Sequence, residues 1–231
     1  MTGSLGADAV AAYRERGYHF PIEIFSAGEV AELDRRMKAT EARIGGRLKG
    51  RMNQKPHLLF PWMNELVRHP KILDAVESVI GQDILCWGAQ FFTKQPGDGT
   101  YVSWHQDATY WGLDPEEVVT AWVALSPSTP ESGCMRVIPG SHTVSHIPHV
   151  DTFHKDNLLS RGQEIAVEVD PAKAVDLILK PGQMSLHHIK IVHGSEPNRS
   201  NDRRIGMAIR YIPTHVKQTK VRDSALLVRG T

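Results

Sequence analysis

The stretch WHQDATYW (residues 104–111) sets a histidine and an aspartate among three aromatic side chains. Read as a β-strand it alternates between two faces, so His105 and Asp107 point one way while Trp104, Gln106 and Ala108 point the other. An imidazole and a carboxylate then share one face, at a spacing common among metal ligands.

The sequence around this stretch reads as further strands. From residue 83, short runs rich in β-branched and aromatic residues follow one another between turn-forming residues: DILCWGAQFFTKQ, YVSWHQD, VVTAWVALS, MRVIPG, EIAVEV, VDLIL, MSLHH and RIGMAIRYIP. The first 80 residues look helical instead. Ser26, with Glu29 three positions on, makes a capping box ahead of AELDRRMKATEAR. HPKILDAVESVIG carries Pro70 in its first turn, an apolar stripe of Ile72, Leu73, Val76, Val79 and Ile80, and Gly81 at its end. Helices followed by many strands predict a mainly β domain over 1–231, with a helical part over 1–82 packed on one face of a sandwich or barrel over 83–215. Residues 143–163 keep neither period, which predicts an active-site loop that closes as a lid.

Composition narrows the partners. Of the 231 residues 41% are hydrophobic, enough for a substantial core, and 27 Lys and Arg against 26 Asp and Glu leave no field to gather nucleic acid or an anionic membrane. No apolar run is long enough to cross a membrane and the N-terminus lacks a signal-peptide pattern, so a cytoplasmic location is expected. Cys86 and Cys134 form no CxxC pattern and read as reduced thiols. The partner expected is a small molecule.

With 12 histidines in the chain, any single one is a weak ligand candidate. His193, in IVHGSEPN after a strand-like run, closes a set of two histidines and one carboxylate with His105 and Asp107. That set with open positions is the pattern of non-haem Fe(II) oxygenases, and a hydrolytic zinc site is the competing reading. In NDRRIGMAIRY, alternation puts Arg204, Gly206, Ala208 and Arg210 on one face, and Arg203 outward to solvent. An inward arginine beside a metal needs an anionic partner. The distal carboxylate of 2-oxoglutarate would supply it, whereas a zinc hydrolase has no use for that arginine.

WHQDATYW, TAWVALSPSTPESGCMRVIPGSH and HHIKIVHGSEPNRSNDRRIGMAIRYIP together resemble the phytanoyl-CoA dioxygenase family of Fe(II)- and 2-oxoglutarate-dependent oxygenases. The resemblance implies a double-stranded β-helix, the cupin-like jelly roll, with Fe(II) held by His105, Asp107 and His193. It implies 2-oxoglutarate on the metal through its 1-carboxylate and 2-keto oxygens, its far carboxylate on Arg204 and Ser195, and O2 as the other cosubstrate. Gln106 falls in the family's H-Q-D motif, Trp122 matches its AWxAL strand, and Gln90 matches a cosubstrate-lining position that is often methionine.

The activity so implied is oxidation of an unactivated C–H bond of a small organic metabolite, with release of succinate and CO2. A halogenase of the same family would carry Ala or Gly where Asp107 stands. A non-catalytic jelly-roll metal- or ligand-binding protein is the rival from another class, and Ser195 and Arg204 beside a complete triad argue against it. Trp104 and Trp111 read equally as wall and as substrate contacts, and His187 and His188 as hydrogen-bonded barrel residues. Arg210 reads as meeting either substrate or a structural acid. His142, His146, His149, His154, Lys155 and Arg161 give the loop a cationic lean that suggests an anionic substrate.

Overall fold

A computed structural model describes residues 4–144 and 147–231. The larger of its two main sheets has six antiparallel strands, in the spatial order Tyr18–Glu23, Gln183–His188, Val119–Ala124, Arg204–Pro213, Ile84–Lys94 and Leu226–Arg229. The smaller has four, in the order Val102–His105, His193–Ser195, Arg136–Val137 and Val175–Asp176. Neighbours in space are distant in sequence, which is the crossed connectivity of a jelly roll. The mainly β, double-sheeted class predicted from the sequence is the one observed.

Alternation along Arg204–Pro213 divides the interior into two. Ile205, Met207, Ile209 and Tyr211 join Leu33, Met37, Met63, Leu66, Ile72, Leu73 and Val76 of the helices in one cluster. Ala208 joins Trp122, Met135, Val137 and Ile191 in a second cluster between the sheets. The helices therefore cover one face of the larger sheet, and its other face is left to build a site. Helix Ala27–Arg43 begins with the expected box: Glu29 N donates to Ser26 Oγ at 3.4 Å and Ser26 N to Glu29 Oε2 at 2.7 Å. Helix Pro70–Ile80 ends at Gly81, whose φ of 86° suits a residue without Cβ. Its Ile72, Leu73 and Val76 are at most 3% exposed, and each such burial contributes about 1.5–3 kcal/mol.

Several sequence expectations shift. The N-terminal part is not purely helical, because Tyr18–Glu23 forms one edge of the larger sheet. Pro21 weakens that strand signal, since proline lacks the N–H a central strand needs; at an edge, where the register also shifts between His19 and Ile22, it is tolerated. Leu226–Arg229 forms the opposite edge, so the sheet extends beyond both predicted boundaries, 83 and 215. Within the irregular loop, His149–Asp151 pairs with Gln163–Ile165 as a short hairpin. Arg203 faces away from the barrel as alternation requires, but helix Ala27–Arg43 covers that face. The guanidinium donates to both Glu41 oxygens, at 2.8 and 2.6 Å, and is ion-paired rather than solvated. Cys86 and Cys134 are buried and unbridged, and no helix among the described residues is long and apolar enough to cross a membrane.

Gly206 lies directly beneath the Trp122 indole, where an added Cβ would come within 2.0 Å of Cζ2. Arg204, two residues away on the same face, lies over the same ring at 5.3 Å. Gly206→Ala is therefore expected to cost about 1–3 kcal/mol of stability through overpacking and to displace the wall against which Arg204 rests. Urea unfolding checks this, and an unchanged midpoint would show that the indole has room to yield.

Candidate active site

His193 lies directly opposite His105 in the antiparallel ladder of the smaller sheet, and the two ring centroids are 4.1 Å apart. His105 Nδ1 faces the carbonyls of Ser103 at 2.9 Å and His193 at 3.1 Å, and His193 Nδ1 faces the carbonyl of Ile191 at 3.0 Å. A carbonyl can only accept, so each Nδ1 carries the proton and each Nε2 presents its lone pair. Burial, followed by the neighbouring His105, holds His193 down to about 4, so that ring is neutral at neutral pH.

Asp107 reaches this pair by a different route from the one alternation predicts. The strand ends at His105, and Asp107 (φ −65°, ψ −34°) is the N-terminal flank of the helical turn Ala108–Trp111. The partner strand begins at His193, so residues beyond His105 have no ladder to join and the chain is free to turn. The turn leaves Asp107 Oδ1 3.3 Å from His105 Nε2. Burial would raise the carboxyl pKa, but the contact with His105, which acts when that ring is protonated, and the charge of Arg210 outweigh it and hold the group below the usual carboxylate range. Ligand atoms of His105, Asp107 and His193 all lie within 4.8 Å of one another, a spacing suited to one metal ion.

The three open onto a cavity of about 200 Å³ that also touches Gln90, Trp122, Ser195 and Arg204. Arg204 is 2% exposed; its Nη1 donates to the Gly133 carbonyl, and its Nε has no partner. Burial pushes its pKa down to about 10, which still leaves it charged at neutral pH. A buried guanidinium with unfilled donors at the end of a cavity suits an anionic ligand.

Sequence reasoning missed the residue behind it. Lys94, opposite Arg204 in the ladder and fully buried, donates to Ser195 Oγ at 2.7 Å and to the carbonyls of Ser195 at 3.2 Å, Gly133 at 3.4 Å and Glu196. Burial and then the charge of Arg204 push its pKa down to about 6 despite these acceptors. Because Ser195 Oγ accepts from Lys94, the hydroxyl hydrogen is left to donate into the cavity that Ser195 lines. Gly133 must be glycine: its φ is +70°, and a Cβ there would meet the Glu196 carbonyl oxygen at 2.2 Å. The only sequence signal was a lysine at an inward strand position, easily read as a strand end.

The remaining expectations divide. Gln106 does not face the cavity: its Nε2 donates to the Lys190 carbonyl at 2.8 Å and its Oε1 accepts from Ile147 N at 2.9 Å, bracing the turn behind the aspartate. Trp111 lines the cavity, whereas Trp104 lies outside it beneath the Arg136 guanidinium. His187 and Thr120 line it, which the sequence did not indicate for Thr120. The loop supplies Leu158, Leu159, Ser160 and Gln163 to the wall, but not its cations. His142 Nε2 donates to the Arg14 carbonyl at 2.9 Å and Arg161 pairs with Asp151 at 3.1 Å; His146 lies outside the described residues. The cationic lean of the loop thus gives no support to an anionic substrate.

Comparison with known proteins places the chain in a family. Residues 5–206 match the phytanoyl-CoA dioxygenase (PhyH) family. The chain belongs to that family. The match begins far upstream of residue 83, so the helical layer is part of the family pattern. The chain is 29% identical over 218 residues to a probable alpha-ketoglutarate-dependent hypophosphite dioxygenase of Stutzerimonas stutzeri, covering 86% of this chain and 76% of that protein. It is 29% identical to human peroxisomal phytanoyl-CoA dioxygenase over 143 residues, covering 59% of this chain and 42% of that one. Among solved structures, the apo form of the non-heme monooxygenase ThoJ superposes with a TM-score of 0.86 at 37% identity, covering 97% of this chain and 84% of that one. This PhyH-family protein is an enzyme of the Fe(II)- and 2-oxoglutarate-dependent non-haem oxygenase class.

Lys94→Met should raise the dissociation constant for 2-oxoglutarate about tenfold, since Ser195 loses the donor that directs its hydroxyl. It should also change how stability depends on pH. Lys94 binds its proton less tightly folded (about 6) than unfolded (10.5), so wild-type stability rises with pH across that window. Calorimetric titration and urea unfolding at several pH values check both. An unaltered cosubstrate affinity, or the same pH slope in Lys94→Met, would contradict this role.

Proposed function

We propose that this PhyH-family enzyme oxidises an unactivated C–H bond of a small organic metabolite, with Fe(II) on His105, Asp107 and His193 and 2-oxoglutarate anchored by Arg204 and Ser195. The observation that carries this reading is the convergence of two lone-pair-bearing Nε2 atoms and an ionised carboxylate on one point beside a cavity that ends on an unfilled guanidinium. The donor set fits a divalent iron with positions left open for other ligands. When bound, iron with 2-oxoglutarate and O2 supplies an oxidation in which one oxygen atom enters the substrate and the other enters succinate, with loss of CO2.

The protein's own part is placement. Nδ1 hydrogen bonds to backbone carbonyls in and beside the ladder fix the rings of His105 and His193, and Gln106 secures the turn that delivers Asp107. Arg204 and Ser195 hold the far carboxylate of the cosubstrate against the Trp122 wall, with Gln90 along its length. Leu158 and Leu159 exclude water from one side of the cavity. Asp107 occupies the position that a halogenase of this family leaves without a carboxylate. A second reading follows from the Stutzerimonas relative, named for hypophosphite: a cavity of about 200 Å³ admits so small an anion, and the bond oxidised would then be P–H.

Asp107→Ala removes the anionic ligand and is expected to weaken Fe(II) binding at least about 100-fold and to abolish succinate formation. Metal titration and a succinate assay with iron and 2-oxoglutarate check this. Undiminished turnover by the iron-loaded variant would sink the ligand assignment.

A further inference from the structure

A row of unpartnered polar atoms crosses the larger sheet on the cavity side. Arg210 lies opposite Thr120 in one ladder, and Thr120 lies opposite His187 in the next. All three line the same cavity as the metal-binding residues. Arg210 Nε, Thr120 Oγ1 and His187 Nδ1 are buried and have no hydrogen-bond partner among the described residues. Thr120 and His187 are 1% and 2% exposed. Leaving such groups unpaired is costly, and three side by side in a functional cavity point to a ligand that completes them.

Arg210 sets the charge of that ligand. Its guanidinium lies over the Trp111 ring at 5.1 Å and the Phe92 ring at 6.0 Å, held by ring faces that leave its in-plane hydrogens free. The carboxylate that acts on it is Asp107, which belongs to the candidate metal position. With the enzyme loaded, the far carboxylate of 2-oxoglutarate offsets Arg204, while Asp107 and the near carboxylate offset the divalent metal. Arg210 is then the cation left without a counter-charge.

We propose that Arg210, Thr120 and His187 form the recognition site for a singly charged oxyanion, a carboxylate or a phosphorus oxyanion, carried by the substrate. The proposal rests on the metal and 2-oxoglutarate reading above and adds the substrate class. Arg210 donates to the oxyanion from the aromatic side, and Thr120 and His187 donate from the neighbouring strands. The oxyanion is thereby fixed beside the metal, with the bond to be oxidised between them.

The test is calorimetric titration of hypophosphite, acetate and benzoate into protein loaded with Ni(II), as a redox-inert substitute for iron, and 2-oxoglutarate. Uptake of Ni(II) and 2-oxoglutarate, measured first, tests the earlier reading separately. At least one of these monoanions is expected to bind the wild type. Arg210→Gln should weaken that binding about 30-fold or more, Thr120→Val about tenfold, and Arg210→Lys should restore part of the loss, with 2-oxoglutarate affinity unchanged throughout. Three results overturn the proposal: no monoanion binding by the wild type, equal binding by Arg210→Gln and Thr120→Val, or a loss confined to 2-oxoglutarate affinity. The last would place Arg210 on the cosubstrate.

Discussion

The pairing of His193 with His105, at the point where the smaller sheet's ladder ends, is the constraint on which the site depends. It brings the two imidazole centroids to 4.1 Å, and carbonyls of Ser103 and His193 in the ladder and of Ile191 just before it take up both Nδ1 protons. It also releases the chain after His105, which lets Asp107 swing toward the same point. Three candidate ligands from two distant parts of the sequence thus derive their geometry from one ladder end, not from independent placements. Rigid backbone supplies the support that a preorganised metal site requires.

The opposite wall is a sheet face that carries unusual charge. Lys94, Arg204 and Arg210 all lie on the two adjacent strands Ile84–Lys94 and Arg204–Pro213; Arg204 and Arg210 line the cavity, and among the described residues Asp107 is the only carboxylate that does so. At Arg204 and Arg210 an apolar side chain would be cheaper for folding, since buried cations without counter-charges are costly. Their retention fits an enzyme whose 2-oxoglutarate cosubstrate is itself an anion. Ligand binding to such a site returns part of that cost, so cosubstrate and folding stability should be coupled. Carbonyls of Gly133, Ser195 and Glu196 meanwhile keep the lysine satisfied and fix the serine.

Much of this was legible in the sequence where a period or a cap governs the outcome. Alternation along Arg204–Tyr211 separated the barrel face from the helix face because a central strand is held on both sides and cannot slip. The Ser26–Glu29 box is local chemistry and reads directly. Asp107 joined His105 for a reason alternation does not supply, since a strand ends where its partner ends, and that partner lies 88 positions away. Thr120, His187 and Arg210 form a row only through the registers of three strands, which no single-strand pattern contains. The edge strand Tyr18–Glu23 was hidden by Pro21, and the Arg203 partner by a helix layer that strand periodicity cannot see.

The central claim is that His105, Asp107 and His193 hold one iron ion beside Arg204. Its most direct measurement is an anomalous-scattering map at the iron edge from crystals grown anaerobically with Fe(II) and 2-oxoglutarate. The account predicts a single iron peak within bonding distance of the two Nε2 atoms and an Asp107 oxygen, with the far carboxylate of 2-oxoglutarate on Arg204 and Ser195. Iron bound elsewhere, or 2-oxoglutarate bound with Arg204 untouched, would contradict it.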